Sequence, residues 1–91
     1  MDENAIKAAI MDLCMERGQG KTICPSEAAR RAAGDGGDWR CLMGPVRQAA
    51  AGLATEGHIS IYRKGRPIEP AQMRGVIRLG LPGKIIAGSS G

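Results

Sequence analysis

Apolar residues recur every three or four positions near the start of the chain, which predicts an amphipathic helix over residues 2–17. The same spacing returns after glycine-rich breaks and predicts two further helical segments, a short one over residues 27–33 and a longer one over residues 39–56. Pro25 is tolerated just before the short one. The longer segment contains Gly44-Pro45, which removes a helical hydrogen bond and should kink or divide it. The predicted buried positions of the first and last helices are Ile6, Ala9, Ile10, Leu13, Cys14, Val46, Ala49, Ala50 and Leu53.

The period changes to two in the last third of the chain. Residues 58–64 alternate between apolar and polar types, residues 76–81 do so again, and residues 21–24 form a shorter extended piece. A loop over residues 64–75 separates the two longer strands, whose inward positions are Ile59, Ile61, Ile77 and Leu79. This order predicts an α+β winged helix, made of three helices plus a C-terminal β-hairpin wing, with a short strand after the first helix. We expect one domain over residues 1–82 and a disordered tail over residues 83–91, whose Gly-Ser end is either native or artificial.

Four segments carry a family resemblance: "TICPSEAAR", "WRCLMGPVRQAA", "LATEGHISIYRKGRPIEP" and "RGVIRLGL". Over residues 5–81 the chain resembles a family of small bacterial proteins catalogued as a domain of unknown function. It departs from that family at Val76, where many relatives are expected to have proline, and in the position of Gly44-Pro45. The resemblance implies a winged-helix-like fold and no particular activity or ligand.

Charge is distributed unevenly along the chain, whose formal net charge is +4. Residues 1–29 carry a net charge of −2 and residues 30–91 carry +6. A basic C-terminal region indicates a polyanionic partner, although a solvated basic surface would give the same composition. A core rich in alanine leaves little room for an enclosed pocket, so we expect no enzyme activity, no cofactor and no small-molecule substrate.

The third helix supplies the first candidate contacts. Steps of four, three and four place Arg40, Gly44, Arg47 and Ala51 on one stripe away from the predicted core, with Gln48 beside it. Arginine favours guanine and glutamine favours adenine in the major groove of DNA, so these side chains are candidate base contacts. The alternative is that the two arginines keep the surface soluble, or pair with Asp38 or Glu56. Trp39 is expected to anchor this segment at the edge of the core.

The predicted wing supplies a second basic cluster. Pro67 and Pro70 stiffen its loop, which lowers the entropy cost of ordering it on a ligand. The alternative is a charged loop with no partner. The candidate phosphate contacts of this cluster are Arg63, Lys64, Arg66 and Arg74.

Cysteine and histidine give no metal or catalytic motif. Cys14, Cys24, Cys41 and the only histidine, His58, lack the paired spacing of a zinc site, and the cysteines lack an adjacent base. We expect all three cysteines to be buried as small apolar residues. Reduced cysteines, with no signal peptide and no long apolar run, favour a cytoplasmic protein outside the membrane.

The sequence therefore predicts an accessory or regulatory protein that binds double-stranded DNA through its third helix and wing. The alternative is a winged helix that binds another protein and no DNA. Acidic side chains from the first helix covering the arginine stripe would count against DNA. An exposed apolar patch around Met43 and Met73 would favour a protein partner.

Overall fold

A computed structural model describes residues 3–82 of the chain. Residue 2, predicted as helical, and residues 83–91, predicted as a disordered tail, lie outside the described part. The helices are α1 (Glu3–Arg17), α2 (Pro25–Ala33) and α3 (Met43–Thr55), with 3₁₀ turns at Trp39–Leu42 and Pro70–Gln72. The strands are β1 (Thr22–Ile23), β2 (Ser60–Arg63), β3 (Arg66–Ile68) and β4 (Arg78–Gly80).

The predicted core positions of the helices and strands are confirmed. All the residues named above for α1 and α3 are buried, and so are the four inward residues of the predicted hairpin. Ala28 and Ala29 of α2 are fully covered, which lets three short helices pack closely around one core. Within residues 3–82, no helix is both long and apolar enough to cross a bilayer.

The third helical segment is divided into two pieces, but the prediction that Gly44-Pro45 divides it is wrong, because both residues lie within α3. Asp38 accepts a hydrogen bond from the Arg40 backbone N–H and starts the 3₁₀ turn, which ends at Leu42 before α3 begins at Met43. Pro45 therefore lies in the first turn of α3, where a backbone N–H has no helical partner to lose. Pro45 is therefore accommodated without interrupting α3.

The four strands form one antiparallel sheet in the order β1-β4-β2-β3. β4 lies between β1 and β2, with Leu79 opposite both Ile23 and Ile61 on the core side. Three helices and a sheet built mainly from C-terminal strands are compatible with a winged-helix-like fold.

The predicted loop over residues 64–75 is wrong in one respect, because it contains β3. A two-residue turn joins β2 to β3, with Lys64 at φ 53° and Gly65 at φ 80°, and Arg63 pairs with Arg66 across it. Positive φ at both central residues is the requirement of the tight hairpin turn whose twist matches the strands. Pro67 lies on β3, the edge strand, where its missing N–H costs no sheet hydrogen bond.

Candidate nucleic-acid interface

An open groove of about 720 Å³ lies between the β2–β3 turn and the segment that leads into β4. We call it the wing groove. Four of its lining residues are cationic and none of its lining residues is acidic, so the groove concentrates positive charge. Its lining residues are Arg63, Lys64, Gly65, Arg74, Gly75, Val76 and Arg78.

The fold brings three of the predicted phosphate contacts into this groove. Arg63 ends β2 and Lys64 occupies the tight turn, while Arg74 comes from the segment on the opposite side. All three side chains are exposed. Arg66, the fourth predicted contact, is exposed at the start of β3 opposite Arg63, next to the residues that line the groove.

Arg78 is a groove residue that sequence reasoning missed. Its Nε donates to Thr22 Oγ1 at 2.8 Å and its Nη2 donates to the Thr22 carbonyl at 3.1 Å. These bonds hold the guanidinium in a fixed orientation against β1. Its position between buried Ile77 and Leu79 could have identified it, since a polar residue there must face away from the core.

Arg47 links α3 to the wing groove. Its side chain is partly covered, and its Nη2 donates to the carbonyl oxygen of Gly75 at 3.3 Å. Gly75 lines the groove, so this contact places the predicted helix residue beside the predicted wing residues. Of the three candidate contacts on the third helical segment, Arg47 is the one that this hydrogen bond ties to the wing groove.

The predicted stripe that joins Arg40 to Arg47 is wrong, because Arg40 belongs to the 3₁₀ turn and α3 starts after it. The Arg40 guanidinium carbon lies 4.8 Å from the centroid of the Trp39 ring, and that of Arg30 lies 4.6 Å from the same centroid. Both contacts are cation–π interactions. Trp39 is half-buried against the core, which confirms its predicted role as an anchor.

Gln48 lies in a different environment from Arg47. It is exposed on α3 and shares a shallow cleft of about 200 Å³ with Pro45 and with Glu3 and Ile6 of α1. The structure therefore places Gln48 beside an acidic residue and outside the lining of the wing groove.

The acidic residues of α1 that form ion pairs do so away from the wing groove. Glu16 accepts two hydrogen bonds from Arg31 of α2, at 2.9 and 3.1 Å, and these bonds lower the pKa of its carboxyl group. Glu3 pairs with Lys7 on the same helix. Within residues 3–82, the ion pairs include none of the four groove cations. Arg78 is bonded to Thr22, and its charge also acts on Glu27. The other three groove cations are exposed and form no ion pair in this part of the chain.

The apolar patch that would have favoured a protein partner is not exposed. Met43 and Met73 are both half-buried against the core. The exposed large hydrophobic residues of the described chain are Met15 on α1 and Val76 in the wing groove.

The cysteines differ in exposure. Cys14 is buried as predicted, Cys24 is half-buried before α2, and the prediction of burial is wrong for Cys41, which is exposed in the 3₁₀ turn. In the part of the chain that the structure describes, no group of three or more His, Cys, Asp or Glu side chains could hold a metal ion.

Together the fold and the groove define a small α+β protein, compatible with a winged-helix-like fold, that carries a cationic groove at its β2–β3 hairpin. The chain belongs to the family described as "Protein of unknown function (DUF3253)", whose model matches residues 3–82. None of the curated proteins matches it.

Proposed function

We propose that this protein binds double-stranded DNA in the cytoplasm, with α3 toward the major groove and the wing groove on the phosphate backbone. The observation that carries the proposal is the hydrogen bond from Arg47 to Gly75, since it joins α3 to a groove lined by four cations that form no ion pair within residues 3–82. The arrangement supports an accessory or regulatory binding protein in preference to an enzyme.

The charge and shape of the wing groove favour a polyanion over a protein. Phosphates along a strand present regularly spaced negative charges, and an open groove lined by guanidinium and ammonium groups can contact several of them at once. The half-buried positions of Met43 and Met73 remove the feature that would have favoured a protein partner.

The proposal predicts how strongly the affinity for DNA should depend on salt concentration. If the four groove cations each neutralise one phosphate, the logarithm of the affinity should fall with the logarithm of salt concentration at a slope of about −3.6. Between about 50 and 200 mM salt, this slope corresponds to an affinity loss of about 150-fold. A single domain with one arginine near base edges should show little sequence preference by itself.

Fluorescence anisotropy with a labelled random-sequence duplex tests the proposal. The variant Lys64→Ala/Arg74→Ala removes two groove cations, so the slope should shrink by about 1.8. The matched control Lys7→Ala/Arg31→Ala removes the same charge from α1 and α2 and should keep nearly the wild-type slope. No binding by the wild type at the lower salt, or equal losses in the two variants, would contradict the proposal.

A further inference from the structure

Val76 combines exposure with an unusual setting. Its side chain is 84% exposed, more than the 66% of Met15, the other exposed large hydrophobic residue in the described part of the chain. Single exposed apolar residues are common and carry no meaning by themselves. Val76, however, lines the same groove as four cations, so a ligand drawn to that charge meets its methyl groups.

The chain holds Val76 in place from both sides. Met73 before it is half-buried against the core, and Ile77 after it is 1% exposed. Between them Gly75 adopts φ 66°, a conformation that favours glycine, and its carbonyl accepts the hydrogen bond from Arg47. A β-branched side chain also has few rotamers to lose, so presenting Val76 to a ligand costs little conformational entropy.

A ligand that complements both the groove cations and Val76 must present an apolar group among negative charges. In duplex DNA the C5-methyl group of thymine projects into the major groove, between the phosphates of the two strands. Arg47 of α3 donates to the carbonyl of Gly75, the residue before Val76, so Val76 follows directly the point where α3 meets the wing groove. In the proposed function α3 faces the major groove and the groove cations hold the backbone, which leaves Val76 between the phosphates and the base edges.

We propose that Val76 is a specificity-determining residue that packs against the C5-methyl group of thymine. This inference rests on the proposed function, because it requires that the wing groove bind duplex DNA. If Val76 contacts this methyl group, the protein prefers thymine at the contacted position, although the Val76 side chain forms no hydrogen bond.

The test compares two duplexes of alternating adenine and thymine, one of them with deoxyuridine in place of thymidine. Deoxyuridine pairs normally but lacks the methyl group. The wild-type protein should bind the deoxyuridine duplex about fourfold more weakly, the effect of one buried methyl group. Val76→Ala should bind both duplexes equally. Met15→Ala removes the other exposed large hydrophobic residue, which does not line the groove, and should keep the wild-type preference.

The outcomes separate this inference from the proposed function. Equal binding of both duplexes by the wild type, or a preference retained by Val76→Ala, would overturn the role of Val76 while DNA binding stands. Failure of the wild type to bind either duplex at about 50 mM salt would overturn both statements and leave the groove to a protein with acidic and aliphatic side chains. Circular dichroism melting checks that Val76→Ala is folded, which its exposed position favours.

Discussion

Cys14 lies on the inner face of α1, where its side chain is 1% exposed. Burial raises the pKa of its thiol from an ordinary value near 9.0 to about 11, and the nearby positive charge of Arg17 offsets part of this effect. The folded protein therefore keeps the Cys14 proton after the unfolded chain has released it. Stability should consequently fall as pH rises between about 9 and 11.

The magnitude follows from the two pKa values. A shift of one unit corresponds to about 1.4 kcal/mol, so the contribution of Cys14 to the free energy of unfolding should be smaller by about 1 kcal/mol at pH 10. The full loss, about 3 kcal/mol, is reached only above pH 11. At neutral pH the thiol is protonated in both states and contributes no pH dependence.

Urea unfolding at pH 7.5, 9 and 10, with a reductant present, measures this loss. The difference in unfolding free energy between the wild type and Cys14→Ala isolates the titration of Cys14 from that of other groups. That difference should shrink by about 1 kcal/mol between pH 7.5 and 10. Cys41→Ala, which removes an exposed thiol and keeps Cys14, is the matched control and should retain the loss of stability at high pH. A constant difference between the wild type and Cys14→Ala would refute the reasoning.

Two further substitutions test local packing and capping by thermal or urea unfolding. A Cβ on Gly80 would lie 2.8 Å from the Lys21 carbonyl oxygen, so Gly80→Ala should lower the free energy of unfolding by about 1–3 kcal/mol. In the control Gly44→Ala the new Cβ meets nothing within 4 Å, so this substitution should be neutral or stabilising. A Gly80→Ala protein as stable as the wild type would show that β1 moves freely. Glu27 accepts the Cys24 backbone N–H at 2.8 Å, so Glu27→Ala should cost about 1 kcal/mol at neutral pH. That hydrogen bond lowers the pKa of the Glu27 carboxyl group, so the cost should decrease as pH falls below the ordinary glutamate range, and a cost unchanged at low pH would contradict this.

Much of the fold could be predicted from the sequence because hydrophobic period determines which face of each element is buried. Ile6 and Ile10 on α1, and Ile61 and Leu79 in the sheet, are where their spacing placed them. β3 was missed because Pro67 and the charged residues around it are typical of a loop. Its formation depends on backbone pairing with β2, which requires no apolar pattern in an edge strand.

The candidate site was harder to predict than the fold. Arg63 and Lys64 could be grouped from the sequence because they are neighbours in the chain. Arg74 could be added to them because a hairpin brings its two sides together. Spacing could not place Arg40 correctly, since helical arithmetic assumes one continuous α-helix through a 3₁₀ turn. The bond between Arg47 and Gly75 joins residues 28 positions apart and depends on the tertiary fold.

The position of β4 has a consequence for how the chain acquires its structure. This strand is the last element of the described chain, yet it lies between β1 and β2, and its Arg78 bonds to Thr22, 56 residues earlier. During synthesis the three helices can pack through short-range contacts while β1 and β2 still lack their common neighbour. The sheet can close only when nearly the whole domain has been made. Ribosome-bound or C-terminally shortened chains should therefore expose unpaired strand edges and depend on chaperones until β4 arrives.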